Sequence, residues 1–77
     1  MTNIEKRYYR SISVAEFIAE GHTIDETKEE FEISKDTIRR DLNFLADYGY
    51  GKENKRNLLL YQKAKKQLEL NQGNRKK

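Results

Sequence analysis

No proline interrupts this 77-residue chain, and its four glycines stand at positions 21, 49, 51 and 73. Proline is the strongest local helix breaker and glycine the residue that most readily ends a helix, so the chain reads as helical blocks punctuated by glycine. From Ile4 to Glu20, Tyr8, Ile12, Ala15 and Ala19 form one stripe with Phe17 and Ile18 alongside, the 3.6-residue repeat of an amphipathic helix that Gly21 ends. Thr23 with Glu26 three residues later is a capping-box pattern. It predicts a short second helix from Ile24 to about Glu32, with Ile24, Thr27 and Phe31 turned inward. Ser34 is the next N-cap candidate, and Ile38, Leu42 and Leu45 recur at i, i+4 and i+7. A third helix should therefore run to about Tyr48.

Beyond Tyr48 the pattern allows two continuations. Gly49 to Asn57 is polar and turn-like. Leu58–Tyr61 then either opens a fourth helix with Leu58, Tyr61, Ala64 or Lys65, and Leu68 on one face, or forms a strand pairing back to Tyr48–Tyr50 across a Lys52–Asn57 loop. The run Gln62–Leu70, rich in Lys, Ala, Gln, Leu and Glu, favours the helix. The expected fold is all-α, a small helix-turn-helix domain of about four helices. Residues 1–70 would make one domain with a basic C-terminal helix, and 71–77 a disordered basic tail. The alternative is a winged helix-turn-helix with a short hairpin at 49–61.

Composition narrows the function classes. At 9.2 kDa, with 35% hydrophobic and 38% charged residues, the chain holds one thin core and no large enzyme scaffold. No pair of acid/base groups with an identifiable pocket suggests itself, so no catalysis is expected. Cysteine is absent and His22 is the sole histidine, which removes disulfides and thiolate chemistry and predicts no metal site and no cofactor. No apolar run approaches a membrane span, and the N-terminus lacks the apolar core of a signal peptide. A cytoplasmic, nucleoid-associated protein of a bacterium or phage is expected.

The net charge of +3 conceals a strong asymmetry. In residues 1–22, Lys6, Arg7 and Arg10 balance Glu5, Glu16 and Glu20. In residues 23–48, eight acidic side chains outnumber four basic ones, and in 49–77 nine basic outnumber two acidic. The C-terminal third is the candidate for a polyanion.

Ile24–Leu42 has the form of two short helices joined by a three- to four-residue turn, a helix-turn-helix pattern. At about 100° per residue with Ile38 at zero, Leu42 and Leu45 lie within about 40° of it and define the buried side. Arg39, Asn43, Asp36 and Arg40 fall at about 100°, 140°, 160° and 200°. The outer face thus carries two guanidinium groups and a carboxamide, donors suited to guanine and adenine edges in the major groove. Ser34, Lys35 and Thr37 stand at the helix N-terminus, where free amides and the helix dipole favour a phosphate.

Ile33-Ser34-Lys35-Asp36-Thr37-Ile38-Arg39-Arg40-Asp41-Leu42 resembles the recognition-helix signature V-S-x-x-T-[IV]-x-[RK]-D-L of DeoR-type repressors and of the stage III sporulation protein D family. The Phe31–Thr37 segment, the amphipathic first helix, the small size and the basic C-terminal region are also similar to the sporulation family. The resemblance implies a recognition helix in the major groove and a C-terminal basic segment on adjacent DNA. Two positions depart from it. Lys28 stands where that pattern has a small residue at a close helix approach, and Glu32 stands where it has glycine in a left-handed turn. A glutamate held there would cost on the order of 1 kcal/mol, which implies a turn of different shape.

The expected function is sequence-specific binding of double-stranded DNA by a transcription regulator, repressor or activator, with residues 34–47 as the recognition helix. Arg39, Arg40 and Asn43 would read bases, with Asp36 on the same face. Ser34, Lys35 and Thr37 would hold phosphates, and Lys52, Lys55, Arg56, Lys63, Lys65 and Lys66 would contact flanking backbone. The plainer reading makes Arg39 and Arg40 an intrahelical ion-pair ladder with Asp36 and Asp41. Asp41 itself is expected to orient a neighbouring arginine or to cap locally. The tyrosines are expected at the core edge with wet hydroxyls, and His22 at the surface. Two other functions fit: an adaptor of a phage or mobile element that docks Glu26, Glu29 and Glu30 on a protein partner, and an architectural or excision accessory factor.

Overall fold

The computed structural model of the chain describes the backbone of residues 2–75 and the side chains of residues 2–71. Four α-helices follow one another: α1 (Asn3–Ala19), α2 (Ile24–Phe31), α3 (Lys35–Asp47) and α4 (Gly51–Arg75). The all-α expectation holds. No helix among the described residues is long and apolar enough to cross a membrane.

The helix starts are set by side-chain caps. Thr23 accepts from the Glu26 amide while the Glu26 carboxylate accepts from the Thr23 amide, the reciprocal box read from the sequence. Thr2 and Glu5 form a second box at α1 that the sequence reading passed over. Ser34 caps α3, its Oγ accepting from the Thr37 amide at 3.2 Å. At the end of α2, Glu32 does adopt the left-handed conformation, with φ 53° and ψ 47°. The turn therefore keeps the backbone of the glycine-bearing pattern, and the expectation of a different shape is corrected at this residue.

The hairpin at 49–61 is absent: the described residues contain no strand, and α4 begins at Gly51. The supposed loop Lys52–Asn57 is the first part of that helix. Asn54 and Asn57 act from inside a helix instead of forming a turn. Asn54 Nδ2 donates to the carbonyls of Ala46 and Tyr48 at 3.1 and 2.9 Å, and Asn57 Nδ2 donates to Tyr48 at 3.1 Å. These amides satisfy carbonyls left open at the end of α3 and fix the α3–α4 joint. Gly49 is required at the joint, since it has φ +86° and a Cβ there would lie 2.6 Å from Glu53 Oε1. Of the tail expected from Asn71 onward, the backbone to Arg75 is helical, and Lys76 and Lys77 lie outside the described residues.

Val14, Ala15 and Ile18 of α1, Ile38, Leu42 and Leu45 of α3, and Ala64 of α4 form the core. Each fully buried isoleucine or leucine contributes about 2 kcal/mol. Tyr8 belongs to this core instead of its wet edge. Its ring stacks on Tyr48 with centroids 4.0 Å apart, and its hydroxyl donates to Asn57 Oδ1 at 3.1 Å. His22 is half-buried, its ring stacked 3.8 Å from that of Phe17.

The Tyr8–Asn57 bond and the bond from Asn71 Nδ2 to the His22 carbonyl each join residues 49 apart. The same offset at Tyr8 in α1 and at His22 just beyond its end means that α1 and α4 run side by side in the same direction. The α2–α3 unit carries the chain back between them, which leaves α4 in contact with α1 on one flank and α3 on the other.

Candidate nucleic-acid interface

Helix α3 turns Ile38, Leu42 and Leu45 into the core and leaves Asp36, Arg39, Arg40 and Asn43 exposed, as its periodicity requires. The intrahelical ladder does not form. Among the described residues no ion pair engages Arg39 or Arg40, and Asp41 faces the other way. Its carboxylate is fully buried and receives Arg10 Nε at 2.8 Å and Arg10 Nη2 at 2.9 Å, with Arg7 Nε at 3.6 Å. Arg7 also stands 4.7 Å from the centroid of the Phe44 ring. The arginine oriented by Asp41 thus comes from α1, about 31 positions earlier in the chain. This hydrogen-bonded pairing pushes the Arg10 guanidinium further above its ordinary range. A bidentate arginine–carboxylate pair fixes direction as well as distance, so it locks the rotation of α3 about its own axis. Arg39, Arg40 and Asn43 point outward because Ile38, Leu42 and Leu45 are buried on the opposite side, where Asp41 is paired as well.

The residues expected to hold phosphate are arranged less uniformly. Ser34 is committed to its cap, and its Oγ lies 3.0 Å from Thr37 Oγ1, so both hydroxyls are engaged with each other. Lys35 is exposed at the first position of α3. The six basic side chains described on α4 are all exposed, but Lys65 stands apart from the other five. From buried Ala64, at about 100° per residue, Lys65 lies at about 100°, whereas Lys55, Lys66, Lys52, Lys63 and Arg56 spread from about 180° to 280°. Lys65 borders a groove of about 220 Å³ with Arg39, Leu42, Asn43, Tyr61 and Leu68. Its ammonium stands 5.9 Å from the Tyr61 ring. Arg56 and Lys63 line a different groove on the α1 flank, with Tyr8, Ile12 and Glu16.

Residues 19–52, a little under half of the chain, match the DeoR-like helix-turn-helix domain. This segment is similar to the DeoR-like helix-turn-helix. Such domains are DNA-binding regulatory modules and not catalytic ones. No curated protein and no solved structure shows significant similarity to the chain. The DeoR-like segment spans α2, the turn and α3, the portion that carries the exposed arginines.

One departure from the signature resolves within this DeoR-like helix pair. Lys28 is exposed on α2. The buried small residue is Thr27, whose hydroxyl donates to the Thr23 carbonyl at 2.8 Å and so adds no unsatisfied group. On the acidic side of α2, the hydrogen bond from the Thr23 amide holds the Glu26 carboxyl below the usual carboxylate range, with His22 nearby adding to the effect. Glu29 and Glu30 are exposed. Sequence reasoning missed the Arg10–Asp41 pair, since pairing across 31 positions leaves no local signal.

Proposed function

We propose that the DeoR-like helix-turn-helix reads double-stranded DNA sequence through the outer face of α3, with the protein acting as a transcription regulator. Arg39 and Arg40 suit guanine edges, and Asn43 suits an adenine edge. Lys35 and the free amides at the start of α3 hold one phosphate, with Ser34 and Thr37 shaping that helix end. Lys65 supplies the neighbouring backbone contact from α4, because it shares a groove with Arg39 and Asn43. The remaining basic residues of α4 act at longer range, as a positive field that attracts the polyanion. The recognition unit therefore comprises the four helices together, α1 holding α3 in rotation and α4 flanking it.

The observation that carries this reading is the inward Asp41 against the outward Arg39, Arg40 and Asn43: a helix with this much charge has its rotation fixed from the core side. The acidic face of α2 is suited to a protein partner through Glu29 and Glu30, while the Glu26 carboxylate is committed to Thr23. A titration of duplex DNA onto the isotope-labelled chain tests the reading. Amide shifts should concentrate in residues 35–43 and at 61–65. Shifts confined to α2, or none at all in low salt, would contradict it.

A further inference from the structure

Arg56 and Lys63 stand on the flank of α4 that faces away from α3, and the same is true of a row on α1. Taking Ile18 as zero at about 100° per residue, Arg7 and Arg10 lie at about −20° and −80°, toward α3, while Ile12, Glu16 and Tyr9 lie at about 120°, 160° and 180°. Ile12 and Glu16 of α1 and Arg56, Leu59 and Lys63 of α4 border one apolar groove, and Tyr9 stands outside it with its ring 5.7 Å from that of Tyr8, which lines it. Tyr9 is 55% and Leu59 59% exposed, large values for side chains of this size on a small domain. The α1 edge of the groove is acidic at Glu16 and the α4 edge basic at Arg56 and Lys63. Among the described residues no ion pair crosses the groove between them.

We propose that this face seats a second copy of the chain, related by a two-fold axis running along α1 and α4. The charge pattern selects that axis. A two-fold axis along the helices lays the α4 edge of one copy over the α1 edge of the other, base against acid. An axis across the helices lays α1 on α1 and α4 on α4, acid on acid and base on base. The register agrees. Because α1 and α4 run parallel at an offset of 49 residues, Leu59 stands at a level between Tyr9 and Ile12, and Lys63 at a level between Ile12 and Glu16. Rotation about an axis along the helices preserves levels, so Leu59 of each copy enters between Tyr9 and Ile12 of the other while Lys63 meets Glu16. Each contact occurs twice, as a self-complementary interface requires. Phosphate is a poor occupant of this groove, because the acidic edge and the apolar strip both oppose it.

The test is sedimentation equilibrium of the full chain without DNA, from roughly 1 µM to 1 mM. The mass should rise from 9.2 kDa toward twice that value with concentration. Glu16→Lys and Lys63→Glu should each weaken association by at least about tenfold, and the double reversal should restore it. Leu59→Glu should abolish it with the helical circular dichroism unchanged; should that variant lose helicity, the charge reversals at two exposed sites decide. A parent chain monomeric over the whole range overturns the proposal. So does a dimer indifferent to Leu59→Glu in the folded state, or a double reversal that fails to restore association. Arg40→Ala should leave the mass unchanged, which keeps this result separate from the DNA reading.

Discussion

The two flanks of α4 are built from similar residues and stand in different surroundings. Toward α3, Tyr61, Lys65 and Leu68 continue a surface on which Arg39 and Asn43 are exposed. Toward α1, Arg56, Leu59 and Lys63 border an apolar groove whose other edge is acidic. Lysine count does not separate these flanks; what each lysine stands beside does. A cation next to outward guanidinium and carboxamide groups suits the proposed polyanion surface, whereas one next to Glu16 and Leu59 suits the proposed contact with a second copy.

The largest effect expected from breaking this contrast comes from the pair that fixes α3. Arg10→Ala leaves the fully buried Asp41 carboxylate with only the longer Arg7 contact, and should lower unfolding stability by about 3 kcal/mol. Arg56→Ala, an exposed change on the other flank, should stay within about 0.5 kcal/mol. Urea denaturation of both variants checks the pair. Arg40→Ala comes next, costing about 1–3 kcal/mol in DNA affinity and relaxing specificity at one base pair, while Arg56→Ala should leave base preference intact in the same competition assay. Glu32→Gly should then raise stability by about 1 kcal/mol by relieving the left-handed strain, without moving either flank. On salt dependence, Lys65→Ala should reduce the slope of log affinity against log salt by about 0.9, and Lys63→Ala by clearly less.

The smallest effect is a pH dependence. Hydrogen bonds at the caps depress the folded pKa of Glu26 and of Glu5 below 4.5. Each group binds its proton more weakly when folded than when unfolded, so its contribution is complete above the unfolded value and is lost as pH falls through the folded one. The thermal midpoint should therefore fall below about pH 4.5, and Glu26→Gln should flatten that fall.

The helical blocks, Ser34 and Thr23 as caps and the outward set on α3 were legible because each is a local pattern of period or spacing. Asn54 and Asn57 were read as turn residues because their preference was judged without the carbonyls of α3 that they satisfy. The Arg10–Asp41 pair was illegible for the same reason, and so was the division of the basic residues of α4. All six read as one cationic surface in the sequence, and only the packing of α4 against both α1 and α3 divides them. At Lys28 the family pattern pointed to a small residue, and the buried small residue is Thr27, one position earlier and about 100° round the helix.

Selection of binding sites from a random duplex pool, with the parent chain and the Arg40→Ala and Asn43→Ala variants in parallel, tests the central claim most directly. The account predicts an enriched motif for the parent that loses its preference at one position in each variant, a guanine with Arg40→Ala and an adenine with Asn43→Ala. A motif identical in all three, or no enrichment for the parent, would contradict it.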